Sequence, residues 1–163
     1  MRAHDVIIQL LDTARFVTGT YLSDLSDSDL LVRPVPGAHH TAWQLGHLIQ
    51  SECSMIEGIE AGVAPKLPEG FAEAHSKEKG SEDGPAAFLS KAAYLDLMTA
   101  VRQATKALLT RRSDAELDAP GPEAMRSYAP TVGSVFSMIG SHEIMHSGQV
   151  AVIRRKLGKA VVI

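Results

Sequence analysis

His142-Glu143-Ile144-Met145-His146 decides how the rest of the chain is read. Two histidines four residues apart lie on one face of a helix, close enough for both imidazoles to reach a single metal ion. With Glu143 between them the stretch has the His-Glu-x-x-His pattern, in which zinc peptidases use the glutamate as general base. Such peptidases usually take a third ligand from further along the chain. Here residues 147–163 contain no His, Asp, Glu or Cys. A third ligand must therefore come from upstream, and the best candidate is His47 in Trp43-Gln44-Leu45-Gly46-His47-Leu48. The site reads as three histidines from two distant helices.

The surrounding pattern supports that reading. Val135, Met138, Ile139, His142, His146, Gln149, Val150 and Ile153 share one helical face, so the two histidines interrupt an apolar stripe. Buried imidazoles without partners carry a desolvation penalty that a metal ion relieves. A single core histidine is better explained by a neighbouring polar group; a spaced pair with a third histidine available favours metal. His47 shares its face with Trp43, Gln44, Gln50, Ser51 and Ser54, a mixture suited to a pocket wall. Gln149 is placed to support the site by hydrogen bonding. His40 reads as a capping or pocket-mouth residue, and His4, His39 and His75 as exposed or packing residues. Glu143 faces either the metal or a neighbouring helix.

Working outward, four long helical segments are expected. The first spans about Ala3 to Leu22, with Ile7, Leu11, Ala14, Val17, Thr18 and Tyr21 as its stripe. Ser26-Asp27-Ser28-Asp29 offers caps for a short turn, and Pro34 and Pro36 exclude a continuing helix. The second runs from an N-cap near Thr41 to about Gly62. A long connection follows, with one turn expected at Phe71–Ala74. The third starts at Pro85 and continues to about Arg112. After an irregular stretch from Leu117 to Pro130, the fourth runs from near Thr131 to a C-cap at Gly158. A short link between the first two helices predicts that they are antiparallel neighbours. Gly133, Gly140 and Gly148 predict close approach of another helix.

Composition narrows the function. A chain of 163 residues, 45% apolar, fits a single domain with a sizeable core. A net charge of -3 leaves no electrostatic footprint for nucleic acid. Arg154-Arg155-Lys156 reads as cations offsetting a helix dipole. Cys53 stands alone, which excludes a disulfide framework and fits a reducing compartment; a packing cysteine is the default. No signal core and no membrane-length apolar span is present, so a cytoplasmic location and no membrane partner are expected.

Gly46-His47-Leu48, then His142 and His146, then Ser147-Gly148-Gln149, together resemble the DinB-like superfamily over nearly the whole chain. The resemblance implies an all-α four-helix bundle with at least one long crossover connection, and a metal site made by His47, His142 and His146. A three-histidine site leaves coordination positions for water and substrate, and suits zinc first, with nickel or iron possible. Relatives of this type include metal-dependent transferases using low-molecular-weight thiols such as bacillithiol or mycothiol. A metal-dependent thiol S-transferase acting on a small-molecule electrophile is therefore the leading expectation. A hydrolase with Glu143 as base, and a non-catalytic metal-binding stress protein, are the alternatives. The resemblance and the apolar tail Ala160-Val161-Val162-Ile163 further suggest a homodimer.

Overall fold

A computed structural model describes residues 2–80 and 88–161. Four long helices form the body: α1 (Ala3–Leu22), α2 (Thr41–Ile59), α4 (Lys91–Thr110) and α6 (Val132–Lys156), with two short helices, α3 (Phe71–Ala74) and α5 (Asp114–Asp118), in the connections. No strand is present among the described residues, apart from one isolated bridge between Pro120 and Thr131. The chain is an all-α four-helix bundle.

Local chemistry sets the helix ends. His40 caps α2, its Nδ1 accepting from the Trp43 amide at 3.1 Å; Thr41 is the first helical residue instead of the cap. Ser90 caps α4 through the Ala93 amide, so this helix begins at Lys91, later than the proline signal suggested; Pro85 itself lies outside the described residues. Thr131 and Ser134 cap the start of α6 reciprocally. Gly158 follows its end at φ 70°, a left-handed conformation that costs glycine no Cβ clash.

Two apolar clusters fill the bundle, one at each end. One joins Tyr21 and Leu22 of α1, Leu45 and Ile49 of α2, Tyr94 and Met98 of α4, and Val150 and Ala151 of α6. The other joins Ile7 and Leu11, Met55 and Ile56, Leu108 and Leu109, and Val135 and Phe136 of the same helices. The order in which each helix passes through these clusters gives its direction: α1 and α6 run one way, α2 and α4 the other. Helix α1 packs mainly on α6, and α2 on both α4 and α6. The expectation that the first two helices are neighbours is corrected, because α1 and α2 stand diagonally across the bundle. Since α2 and α4 point the same way, the chain from 60 to 90 must return along the whole bundle. That is the long crossover.

Between the clusters lies a polar layer that apolar periodicity did not reveal. Arg102 of α4 donates from Nε and Nη2 to both Glu52 oxygens (2.8 and 3.0 Å), from Nη2 to Glu143 Oε2 (2.7 Å), and from Nη1 to the Leu11 carbonyl (2.7 Å). All four long helices thus meet on one guanidinium. Arg15 adds a second cation, its Nε 3.3 Å from Glu143 Oε1. Arg154 lies in the last turn of α6, as expected of a dipole-offsetting cation, and does more. It is buried, pairs with Asp24 and donates to the carbonyls of Tyr21 and Ala160, tying the chain end to α1.

Candidate metal centre

Helices α2 and α6 bring His47, His142 and His146 to one place, with one ring nitrogen from each lying within 4.8 Å of the others. His142 and His146 are adjacent on α6, their Nε2 atoms 3.2 Å apart, as the four-residue spacing requires. His47 faces both, with ring centroids 5.1 Å from His142 and 5.3 Å from His146. All three rings are half-buried.

Electrostatics keeps these imidazoles neutral. Burial pushes His47 down to about 4, helped by the nearby His142 and Lys77. His146 is likewise pushed down to about 4 by burial, then by His142 and His47. Burial lowers His142 as well. Three neutral rings near pH 7 present lone pairs instead of protons, the state a metal ligand needs. The donor set therefore fits a divalent metal of the kind imidazole favours.

A neighbouring amide fixes one tautomer. Gln44 Nε2 donates to the His39 carbonyl at 2.9 Å, which turns Oε1 toward His146 Nδ1 at 3.1 Å. Nδ1 of His146 then donates, and Nε2 carries the lone pair, facing His142 Nε2 at 3.2 Å. Gln44 lies on the His47 face in sequence, but only packing between α2 and α6 discloses its role. Gln149, expected on the core-facing stripe, is exposed; its hydrogen bond is the last of the influences on His146. Trp43 stacks on His47 with ring centroids 5.0 Å apart and an angle of 6° between the planes, holding the ring from behind.

The remaining histidines separate cleanly. His40 caps α2, and His39 stacks on Trp43. His4 bonds the Arg112 carbonyl. His75 is fully buried, Nδ1 donating to the Phe71 carbonyl and Nε2 accepting from Tyr94 Oη at 2.7 Å. The Glu143 side chain is 2% exposed and sits in the polar layer on Arg102, next to the ligand positions in sequence but directed into the bundle. A small cavity of about 10 Å³ is lined by Glu143, Glu52 and His142. Cys53 is a free, buried thiol that burial pushes up to about 11.

An open cleft of about 320 Å³ reaches His47 from solvent. The second connection supplies Ser76 and Lys77 to its wall, and the third supplies Met125 and Tyr128. Sequence reasoning missed these residues because loop positions have no periodicity to betray a shared site.

Residues 10–150 match the model of the DinB superfamily. The chain belongs to that superfamily. Within the DinB fold, two solved structures superpose over almost the full chain. A conserved protein of Enterococcus faecalis shares 18% identity at a TM-score of 0.74, covering 98% of this chain and 99% of its own. YfiT from Bacillus subtilis, described as a probable metal-dependent hydrolase with an unusual four-helix bundle topology, shares 18% identity at a TM-score of 0.66, covering 96% of this chain and 89% of its own. No curated protein matches the chain in sequence. At such identities the DinB structures establish a common fold, not a common reaction.

Proposed function

We propose that this DinB protein is a metal-dependent enzyme of the thiol S-transferase type, with His47, His142 and His146 as ligands to one divalent ion, zinc first among the candidates. The observation that carries the reading is the convergence of three imidazoles on one point, one of them, His47, at the wall of an open cleft. A divalent ion held by three imidazoles retains positions for an outside ligand and lowers the pKa of a thiol or water bound there. The protein's own part is to hold the rings: Gln44 orients His146, Trp43 backs His47, and the cleft admits a small molecule beside His47.

A hydrolase is the second reading, favoured by the description of the YfiT neighbour. That reading needs a base. Glu143 is buried with Oε2 bonded to Arg102 at 2.7 Å and Oε1 3.3 Å from Arg15 Nε, and it is not among the described residues lining the open cleft. We therefore assign Glu143 to holding the bundle centre and not to proton transfer.

Two measurements test the proposal. Protein purified without chelator should carry about one divalent ion per chain, and each of His47→Ala, His142→Ala and His146→Ala should lose most of it. Incubating metal-loaded protein with an electrophile and a panel of cellular thiols, beside ester and peptide panels, then separates transferase from hydrolase. Full metal occupancy in His47→Ala would remove the site; turnover of esters alone would replace the reaction.

A further inference from the structure

The cleft at His47 has a sidedness that the metal site alone does not explain. Its α2 wall carries Ser51 and Ser54 beside His47, the returning connection adds Lys77, and Met125 and Tyr128 close the third side. Among the described residues lining the cleft, Lys77 alone is formally charged. The chain as a whole is net negative, at -3, whereas no described residue lining this cleft is acidic. Lys77 and His47 line the same cleft. Glu78 follows Lys77 in sequence and feels its charge, but its carboxylate is held first by its own backbone and by the Ser76 hydroxyl, and it is not among the described residues lining the cleft.

We propose that this cleft selects a small anionic ligand, with a carboxylate-like group on Lys77, hydroxyl donors of Ser51 and Ser54 beside it, and the apolar body against Met125 and Tyr128. The ligand's far end then lies at His47, where the metal site begins. This inference rests on the proposed metal site and adds the charge class of what enters it. A cation at the mouth attracts anions before contact and rejects cations of the same size.

The test uses full-length protein loaded with Co(II), titrated at low ionic strength with two thiols of matched length and opposite charge, 3-mercaptopropionate and cysteamine. Thiolate binding is read from the cobalt absorption bands. The readout is the ratio of the two dissociation constants in the native protein compared with Lys77→Gln and Lys77→Glu, so that intrinsic differences between the thiols cancel. For a partly solvated charge contact the ratio should shift toward cysteamine by roughly fivefold in Lys77→Gln and further in Lys77→Glu, with helical circular dichroism unchanged. The shift should shrink in high salt. An unchanged ratio in both variants, with Co(II) and thiols still bound, overturns the anionic cleft and leaves the metal site standing. Failure of Co(II) to bind the native protein overturns the metal site itself and this inference with it.

Discussion

Arg102 shows how one residue holds the bundle centre. Its guanidinium is buried, yet the neighbouring Glu52 and Glu143 carboxylates and the Leu11 carbonyl take up its donors. Removing one partner from a buried ion cluster costs more than the pair gains, because the other charges stay behind desolvated. Arg102→Met should therefore lose about 3–5 kcal/mol in urea unfolding; a loss below 1 kcal/mol would mean that water already solvates this layer. Glu143→Gln is milder, since Glu52 still pairs with Arg102. It should cost about 1.5–3 kcal/mol while the metal content measured after dialysis stays at the native level. Metal-dependent peptide cleavage that disappears in Glu143→Gln with metal still bound would restore the glutamate as a base.

At the scale of elements, the returning connection decides what borders the site. Helix α3 is anchored by His75, whose ring lies so close to Gly46 that a Cβ there would come within 1.9 Å of it. Glycine at 46 is thus a docking surface for the connection, one residue before a proposed ligand. Tyr94 completes the anchor, its hydroxyl donating to His75 Nε2 and accepting from the Leu89 amide at 3.3 Å. Tyr94→Phe leaves both groups unpaired and should destabilise by about 1–3 kcal/mol, read from the chemical unfolding midpoint. Burial lowers His75 below its ordinary 6.5, so the unfolded chain takes up the proton first. Its contribution to stability is complete above pH 6.5 and is lost as pH falls through the lower folded value. Chelator-treated His75→Gln should therefore show a shallower loss of thermal stability below pH 6.5 than chelator-treated native protein. An identical slope would show that His75 takes up no extra proton on unfolding. The glycines of α6 differ among themselves: Gly140 meets Leu10 of α1 and Gly133 meets Leu117 of α5, whereas nothing lies within 4 Å of a Cβ at Gly148.

For the whole molecule, the unfilled space at Gly148 belongs to an exposed stripe on α6. Met145 and Val152 flank it, 62% and 48% exposed, sharing with the exposed Gln149 a helix face that no described residue covers. The tail argument for association weakens at the same time, because Val161 packs back against its own core, while Val162 and Ile163 lie outside the described residues. The homodimer expected from sequence is thus proposed on the α6 face. Light scattering at micromolar concentration should give twice the chain mass, and Gly148→Arg should return it to one while retaining metal. A native monomer would make the stripe ordinary surface. No helix among the described residues is long and apolar enough to cross a membrane.

The sequence alone determined what depends on local spacing. Helical periodicity and caps placed α1 at Ala3–Leu22 and the isolated turn at Phe71–Ala74, because backbone hydrogen bonding and amphipathic burial act within a few residues. The His142/His146 pair was legible for the same reason. His47 was found by elimination and by resemblance, which named a partner without saying how two distant helices meet. Tertiary structure alone decided that α1 and α2 stand diagonally, that Gln44 holds His146, that Glu143 turns inward to Arg102, and that Lys77 enters the cleft. Each of these joins residues far apart in the chain, and side-chain pairing across helices leaves no period in the sequence of either partner. Charged residues at 52, 102 and 143 interrupt apolar stripes and look like surface until the bundle closes and neutralises them together.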